Sequence, residues 1–479
     1  MPLDEALYRT RIRRLTGRPR LRRPHRPRPP RSTDPREVTP ARVAQLIMGA
    51  FGTALLIGTV LLLLPVARVG PGGASLLQAV FTAASAVCVT GLVVVDTPTF
   101  WTPFGQAVIL GLIQIGGFGV MSFTTMLGIL LARRLRLASR ILASTETKNQ
   151  GRGDIGRVLL RILATALTLE AAVAVVLALR FLVGYDYPLG RAVWHGVFHA
   201  VSAFNNAGFA LYSLSLMDFA TDPWICLPVV VAVVLGGLGF PVLYQLRKEW
   251  RLPRRWTVNT RIVLFATGVL LSAGTAFLCA VEWTNPGTLG PMEPSEKLLA
   301  GFFQSAIART AGFNSIDIAA MHPVSWLGLD VLMLIGGGPA GTAGGLKVTT
   351  FAVLGFIAYT EITGGAAVNV LGKRLSRSVQ RQATTVVVLA LGAVITGTMA
   401  LMLLHEDLGL DRLLFEAVSA FATVGLSTGI TADLSAPAQC VLIALMFLGR
   451  LGPVTVATAI AYQHRRTLYE LPEERPLIG

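Results

Sequence analysis

Residues 415–426 read FEAVSAFATVGL, in which a Phe is followed ten residues later by Gly and then by a large apolar residue. The same spacing occurs three more times, as FTAASAVCVTGL at 81–92, FHAVSAFNNAGF at 198–209 and FFQSAIARTAGF at 302–313. Three copies carry Ser six residues before the Gly, at Ser85, Ser202 and Ser419. The copy at 302–313 has Ala306 at that position. Each copy lies between two long apolar runs. The pattern predicts four copies of one membrane unit, in which a short apolar helix ends at a glycine turn.

The composition indicates a membrane protein. Of 479 residues, 53% are hydrophobic and only 14% are charged, and the mean hydropathy is +0.62. Runs long enough to cross a bilayer lie at about 42–64, 104–132, 156–183, 223–246, 262–281, 325–363 (interrupted), 378–403 and 438–462. The four Phe-to-Gly segments are too short to cross. The predicted fold is therefore an all-α membrane protein of four membrane-pore-membrane repeats, with eight transmembrane helices plus four re-entrant pore helices around a central ion pathway.

The predicted organisation follows these runs. It comprises a disordered basic cytoplasmic arm (1–41), repeat 1 (42–132), repeat 2 with its preceding cytoplasmic loop (133–261), repeat 3 with a Gly-rich intramembrane loop (262–376), repeat 4 (377–465) and a cytoplasmic tail (466–479). Basic residues beside spans stay in the cytoplasm, and every second loop is basic, at 133–157, 247–261 and 373–381. We therefore expect a multi-pass protein of the cell (plasma or inner) membrane with both termini cytoplasmic and the glycine turns outside.

The net charge of +16 does not require a nucleic-acid partner. Residues 1–42 hold 13 Arg against 4 acidic residues, a net of +9, and the basic loops supply the rest. Because the arm from Arg18 to Pro40 is dense in Arg and Pro, we expect it to be disordered and to face anionic membrane lipid. The positive-inside bias accounts for the charge, so no nucleic-acid binding is predicted.

The spacing of the four glycines is suited to an ion pathway. An ion in the bilayer core needs a substitute for its hydration shell, and rings of backbone carbonyls provide one for K⁺. Carbonyls point inward only where the backbone takes dihedrals that Gly tolerates. We therefore predict that K⁺ binds through backbone carbonyls at Gly91, Gly208, Gly312 and Gly425. The predicted selectivity filter comprises Val89, Thr90, Gly91, Asn206, Ala207, Gly208, Thr310, Ala311, Gly312, Thr423, Val424 and Gly425.

A second glycine motif follows each filter glycine by 24 to 28 residues, at Gly116, Gly236, Gly336 and Gly449. In the fourth copy, Arg450 stands where the other copies have a second Gly. Burial of a charged side chain within the bilayer costs free energy, so such a residue is a candidate functional residue. We predict that Arg450 approaches the pore below the filter; the alternative is an Arg paired between helices.

The third copy of this motif continues as GGGPAGTAGG at 336–345 and interrupts its span. Interior helix positions disfavour Gly by about 1 and Pro by about 3 kcal/mol relative to Ala. The stretch therefore predicts a flexible intramembrane loop that gates the pathway; the alternative is a static kink. The predicted gate comprises Arg450, Gly336, Gly337, Gly338, Gly341, Gly344, Gly345 and Lys347.

Together these strings resemble the Trk/Ktr/HKT superfamily of potassium transporters, with the closest match to its KtrB branch. The similar strings are VTGL at 89–92, FNNAGF at 204–209, RTAGFN at 309–314, ATVGLSTG at 422–429, TAGGLK at 342–347 and GRLGP at 449–453. The resemblance covers residues 42–465. Cys88 departs from it, because members commonly have a small polar residue such as Thr at that position.

The resemblance implies K⁺ uptake by the pore-forming membrane subunit of a Ktr-type system, in which Na⁺ is often an activator. It further implies a homodimer and a cytoplasmic nucleotide-binding ring of RCK-type (KtrA-like) subunits. Members with Ser at the first filter position tend to pass Na⁺, so Gly91 favours K⁺. The alternative is a Na⁺-permeable or less selective monovalent cation transporter of the same superfamily. No organic cofactor is expected in this chain.

Other classes of function fit less well. Residues 425–429, GLSTG, match the G-x-S-x-G elbow of hydrolases, but that motif requires a strand-turn-helix context and a nearby His. We therefore predict no enzymatic activity. His195 and His199 have metal-ligand spacing but no third ligand, which favours packing or capping. Glu170, within an apolar span, is either a hydrogen-bonding partner between helices or a contact for a coupling ion.

Overall fold

The computed structural model of the protein describes residues 40–140 and 153–452. Almost all of the predicted basic arm, the middle of the 133–157 loop and the predicted tail lie outside the described residues. So does the end of the predicted last span beyond residue 452.

The described segments consist of helices joined by loops. Counted along the chain, the helices are α1 (Pro40–Leu63), α2 (Leu76–Val87), α3 (Pro103–Arg140), α4 (Gly153–Gly184), α5 (Leu189–Phe204), α6 (Pro223–Leu238), α7 (Phe240–Glu249), α8 (Val258–Glu282), α9 (Pro294–Ile307), α10 (Pro323–Leu334), α11 (Val348–Ile362), α12 (Arg377–Leu404), α13 (Leu410–Ala422) and α14 (Ala436–Leu451). A single helical turn at Thr97–Phe100 and three short 3₁₀ turns lie in the loops.

Among the described residues, three helical segments are long and apolar enough to cross a membrane alone: Gly156–Gly184, Val258–Glu282 and Arg377–Leu404. A fourth crossing is obtained if α6 and α7 count as one span, although they are bent by 101°. Other apolar segments are shorter, at 10–17 residues. Membrane-spanning helices are thus present, which agrees with the class of fold predicted from the composition.

Helix starts follow local capping chemistry. The Ser75 hydroxyl accepts from the Gln78 backbone N–H, and the Gln78 side chain accepts from the Ser75 N–H, a capping box at the start of α2. Asp222 caps α6 by accepting from the Trp224 N–H at 2.9 Å. Pro begins several helices because its missing N–H has no intrahelical partner there. These residues fix where each apolar run starts to be helical.

Two spans differ from the sequence prediction. The span expected at about 104–132 continues to Arg140, because Arg, Leu and Ala are good helix formers and a basic composition does not by itself end a helix. The span expected at about 223–246 breaks at Gly239, where φ is 88°. A β-carbon on Gly239 would lie 2.3 Å from the Pro339 carbonyl oxygen, so the chain turns where only Gly fits.

The core surrounds α2, α5, α9 and α13, the four helices that precede the glycine turns. The Phe that starts the copy is fully buried at Phe81, Phe198 and Phe415. In the third copy, Phe303 is fully buried and its neighbour Phe302 only partly. Close packing of these large side chains holds the short helices against the longer ones.

A small β-hairpin pairs β1 (Asn369–Val370) with β2 (Lys373–Arg374). Its two-residue turn is Leu371-Gly372, with φ of 48° and 78°, as in the tight turns that favour hairpins. The hairpin carries the basic segment that leads into α12.

Candidate ion pathway

The four glycine turns contact one another in a closed ring. A β-carbon on Gly91 would lie 2.4 Å from the carbonyl oxygen of Ala207. The corresponding distances are 2.8 Å from Gly208 to Ala311 O, 2.2 Å from Gly312 to Val424 O, and 2.1 Å from Gly425 to Thr90 O. The contacts therefore run from the first copy through the second, third and fourth and return to the first. Each glycine faces a carbonyl oxygen of its neighbour.

The backbone of each turn follows the same alternation. Positive φ occurs at the first and third filter residues, such as Val89 (55°) and Gly91 (93°), and likewise at Asn206 and Gly208, Thr310 and Gly312, and Thr423 and Gly425. A non-glycine residue in this region is uncommon. Its occurrence in all four copies indicates that the four turns share one backbone geometry.

The serine six residues before the glycine holds the turn. The Gly91 N–H donates to Ser85 Oγ at 3.0 Å, and the Gly425 N–H donates to Ser419 Oγ at 3.1 Å. In the second copy, the Ser202 hydroxyl donates to the Phe209 carbonyl oxygen at 2.8 Å. In the third copy, Ser305 instead donates to Leu271 O at 3.0 Å, on the neighbouring helix α8. The Ser pattern in the sequence thus marks a clamp on three of the four turns.

Two further features favour cations at the ring. The helices α2, α5, α9 and α13 all end three to five residues before their glycines, so their negative dipole ends lie next to the ring. Above the ring is a hollow of about 680 Å³, lined by the four glycines and by Asp96 and Asp317. Carboxylates at such a mouth attract cations.

The Gly-rich segment forms a loop between α10 and α11, and none of its residues lines this hollow. The Thr342 N–H donates to Gly236 O at 3.1 Å, and the Thr342 hydroxyl donates to Phe204 O at 3.1 Å and hydrogen-bonds the Asn206 side-chain amide at 3.2 Å. A β-carbon on Gly344 would lie 1.9 Å from Thr423 Oγ1. The loop therefore contacts the base of two filter turns.

Arg450 joins this loop to two spans. Its guanidinium donates through Nη1 to the Thr342 carbonyl oxygen and through Nη2 to Gly116 O at 3.2 Å. The residue is 6% exposed, and no carboxylate pairs with it in the described part of the chain. An Arg that is buried without a counter-charge places an uncompensated positive charge beside the loop.

The comparison with known protein families agrees with this geometry. The TrkH family model, described as a cation transport protein, matches residues 63–469. The chain belongs to the TrkH family of cation transport proteins. The ring of glycine turns and the buried Arg450 thus belong to a cation transport protein.

Individual relatives cover nearly the whole chain. The Ktr system potassium uptake protein B of Vibrio alginolyticus is 38% identical over 91% of this chain and 94% of its own length. The protein of the same name from Bacillus subtilis is 37% identical over 87% and 92%. The potassium/sodium uptake protein NtpJ of Enterococcus hirae is 32% identical over 91% and 97%.

A solved structure has the same fold. The crystal structure of the potassium transporter TrkH from Vibrio parahaemolyticus matches with a TM-score of 0.71 at 18% identity, over 90% of this chain and 87% of that one. The chain is thus a helical integral membrane protein of TrkH-like fold.

A second buried arginine of this TrkH-family chain links the filter to the loop. Arg309 immediately precedes Thr310, a residue of the predicted filter, is 7% exposed, and donates through Nη2 to Gly336 O at 3.2 Å. Lys347, at the far end of the loop, donates to Ala343 O within it. The predicted gate included Lys347 but not Arg309 or Thr342, although both lie in the strings RTAGFN and TAGGLK. The available signal for Arg309 was its charge within RTAGFN, next to the predicted filter residue Thr310.

Glu170 hydrogen-bonds other helices at the base of the second filter turn. Its Oε1 accepts from Asn205 Nδ2 at 3.0 Å, and both carboxylate oxygens accept from Gln114 Nε2 at 3.3 Å. Asn205 also donates to Gln114 Oε1 at 3.0 Å. This network connects α3, α4 and the end of α5, which corresponds to the hydrogen-bonding alternative considered for Glu170.

The fourth turn is braced by a different carboxylate. Glu416 is fully buried and accepts from the Ser427 hydroxyl at 2.5 Å, the Thr428 N–H at 3.1 Å and the Thr431 hydroxyl at 2.8 Å. Ser427 is the serine of the G-x-S-x-G match, so its hydroxyl is engaged in holding the loop after Gly425.

His195 and His199 lie in an aromatic cluster with Phe181 and Tyr212. His199 Nε2 accepts from the Leu211 N–H at 3.3 Å. Within residues 40–140 and 153–452, the structure shows no group of three or more His, Cys, Asp or Glu side chains that could hold a metal ion. In the loops that follow α4 and α5, burial raises the pKa of Tyr185 to about 12 and raises the pKa of Tyr212 above its usual range, so both phenols stay neutral.

Proposed function

We propose that the chain is the pore-forming membrane subunit of a Ktr-type system and takes up K⁺ across the cell membrane. The observation that carries this proposal is the closed ring of carbonyls facing Gly91, Gly208, Gly312 and Gly425. The curated names of the relatives at 37–38% identity, which are potassium uptake proteins, support the same ion.

In this proposal the chain consists of four membrane-pore-membrane repeats around one pathway. The helices α2, α5, α9 and α13 are the re-entrant pore helices. The other ten helices form eight crossings, because α6 and α7 count as one crossing and so do α10 and α11. The cyclic order of the glycine contacts supports this arrangement. The hollow with Asp96 and Asp317 then faces outside, and the basic segments at 247–261 and 373–381 face the cytoplasm with both termini.

The filter consists of the three residues that end at each glycine, and K⁺ exchanges its hydration shell for their backbone carbonyls. The loop at 336–345 is the gate, in a closed position. Thr342 holds it against the second filter turn, while Arg450 and Arg309 tie it to the surrounding helices. Opening requires these hydrogen bonds to break, so the wild-type chain alone has low basal flux.

A Na⁺-permeable or less selective transporter is the second candidate. The relative from Enterococcus hirae carries the name potassium/sodium uptake protein, which supports this reading. The same backbone ring would serve both ions, and the balance between them depends on the geometry at Gly91. Na⁺ as an activator belongs to the same proposal.

We propose two kinds of partner: a second copy of the chain and a cytoplasmic nucleotide-binding ring of the RCK type. In this proposal, control by ATP or ADP comes from the nucleotide-binding subunit. The basic segments from Arg247 to Arg261 and from Lys373 to Arg381 offer docking surfaces for acidic patches, and salt weakens such attraction.

Growth tests this function. In a bacterial strain that lacks its own K⁺ uptake, expression of the chain with an RCK subunit should restore growth at low K⁺, and expression of an Arg450→Ala variant should restore it without that subunit. Co-purification should yield a complex that dissociates as salt is raised. Failure of the co-expressed pair to restore growth, with both proteins present in the membrane fraction, contradicts the proposed function.

A further inference from the structure

A groove of about 690 Å³ lies between α4 and the bent pair α6–α7. Its walls include four apolar side chains that are only partly buried by the protein itself: Leu169, Leu235, Phe240 and Leu243. Two arginines, Arg161 and Arg247, lie at its rim and are exposed. In the part of the chain that the structure describes, no carboxylate pairs with either guanidinium. The groove therefore combines a large apolar wall with two cations that lack a counter-ion.

A second groove between the same two helices provides an internal comparison. It has a volume of about 500 Å³ and is lined by Val173 and Val176 of α4 and by Leu227 and Val231 of α6, one helical turn beyond the first. No charged side chain lines it. The two arginines thus lie at only one end of the surface that α4 shares with α6 and α7. Apolar packing between these helices does not by itself require charges there.

The position of the arginine groove matches one leaflet. Residues 161–169 of α4 rise by about 12 Å, close to half of a hydrocarbon core of about 30 Å. With the orientation proposed above, this end faces the cytoplasm, where the anionic lipids are concentrated. Tyr244 and Trp250, which are 47% and 63% exposed, are aromatic residues of the kind found at the membrane–water interface.

We propose that this groove binds one anionic phospholipid of the inner leaflet. The phosphate lies between Arg161 and Arg247, and an acyl chain covers the partly buried wall formed by Leu169, Leu235 and Leu243. Basic pockets between membrane helices on the cytoplasmic side are known to hold such headgroups. The proposal rests on the proposed orientation of the chain, and it does not depend on which ion the pathway carries.

The groove also reaches the candidate gate. Phe240 lines it, and the Phe240 N–H donates to the Ala340 carbonyl oxygen of the intramembrane loop at 3.2 Å. The preceding Gly239 lies against Pro339 of the same loop. A lipid that packs on Phe240 therefore fixes the helix end from which the loop is supported, so occupancy of the groove shifts the gate equilibrium.

The test measures binding of phosphatidylglycerol to the purified full chain by native mass spectrometry, with phosphatidylcholine as the neutral comparison. The double variant Arg161→Gln/Arg247→Gln should bind phosphatidylglycerol about 25-fold more weakly, because each cation near an anionic surface contributes about fivefold. The matched control is Lys248→Gln/Arg254→Gln, which removes two exposed charges from the same side without touching the groove. Equal loss in both double variants overturns the site, because it indicates general surface attraction.

A second variant tests the apolar wall without changing charge. Thr168→Phe, which fills the groove from α4, should displace the lipid while the chain stays monodisperse, and this variant carries the test if the arginine variant fails to fold. Displacement of phosphatidylglycerol by millimolar inorganic phosphate overturns the proposal in favour of a free-anion site. Rb⁺ uptake into vesicles with and without phosphatidylglycerol should differ for the wild type and be equal for Thr168→Phe. The binding measurements by mass spectrometry are independent of transport, so they succeed or fail separately from the proposed function, whereas Rb⁺ uptake depends on it.

Discussion

Arg450, on the last described helix, donates a hydrogen bond to the carbonyl oxygen of Thr342 in the middle of the intramembrane loop. A residue near one end of the chain thus holds a loop that is more than a hundred positions away in sequence. The same guanidinium reaches Gly116 O on α3. The loop is therefore held by Arg450, which follows the fourth glycine turn, as well as by the bonds of Thr342 to the second turn.

We predict that Arg450→Ala raises basal K⁺ flux. Two unit charges about 6 Å apart in an effective dielectric of about 20 repel by roughly 3 kcal/mol, so an unpaired Arg lowers K⁺ occupancy about a hundredfold. The measurement is Rb⁺ uptake into proteoliposomes that contain the chain alone. Arg450→Lys keeps the charge but loses the forked pair of donors, so its basal Rb⁺ uptake should lie between that of the wild type and that of Arg450→Ala. Unchanged flux in the Ala variant, with normal folding, indicates a structural Arg.

Gly91→Ser should weaken the preference for K⁺ over Na⁺ by tenfold or more. Gly91 has a φ of 93°, and a β-carbon would lie 2.4 Å from Ala207 O, so the ring must deform. The matched control is Gly429→Ser, at a φ of 89° with no atom within 4 Å of an added β-carbon. The two variants separate backbone strain from distortion of the ring. Selectivity from competition uptake assays should change in the first variant only; equal selectivity in both removes Gly91 from the filter.

Ser85→Ala and Ser419→Ala should lower both selectivity and thermal stability. Each change leaves the filter glycine's N–H without its hydroxyl acceptor, and a buried unsatisfied donor costs about 1–3 kcal/mol. Ser305→Ala is the comparison, because that hydroxyl bonds Leu271 O and not its own filter glycine. It should lose stability while retaining selectivity. A loss of selectivity of the same size in all three variants argues against the clamp.

Arg309→Met should raise basal flux by less than Arg450→Ala does. The change removes the bond to Gly336 O, at the start of the loop, and keeps most of the buried side-chain volume. Because Arg450 still holds Thr342, the loop is loosened at one end only. Additivity of the two variants tests the shared role, since side chains that act on one loop show coupled effects. Strict additivity in Rb⁺ uptake would indicate independent roles.

Much of the helix layout follows from the sequence, because long apolar runs bounded by charged residues predict helices that cross a bilayer. The spans expected at about 156–183, 262–281 and 378–403 agree within a few residues with Gly153–Gly184, Val258–Glu282 and Arg377–Leu404. The interruption expected within 325–363 is also present, between Leu334 and Val348. Hydropathy alone could not show the break at Gly239, because apolar residues continue on both sides of it. The Pro two residues later was the available signal.

The details of the candidate pathway were less predictable. The spacing of the glycines predicts the twelve residues of the candidate filter. The order of contacts around the ring could not be predicted, because it depends on packing between segments that are distant in sequence. The partners of Arg450 and Glu170 likewise come from other helices, at Thr342 and Asn205. The role of Arg309 could not be predicted, because a single charge beside a turn has no periodicity. Such long-range hydrogen bonds leave no mark in local sequence pattern.

The most direct test of the account is cation uptake by purified chain in proteoliposomes, with Rb⁺ as the tracer and K⁺, Na⁺ and Li⁺ as competitors. The Arg450→Ala variant provides the open pathway, and Arg450→Ala/Gly91→Ser is the matched filter variant. The account predicts that K⁺ competes with Rb⁺ far better than Na⁺ or Li⁺ does, and that this difference shrinks when Gly91 is replaced. Equal competition by all three cations in the chain with Gly91 intact would contradict a K⁺-selective ring at the four glycines.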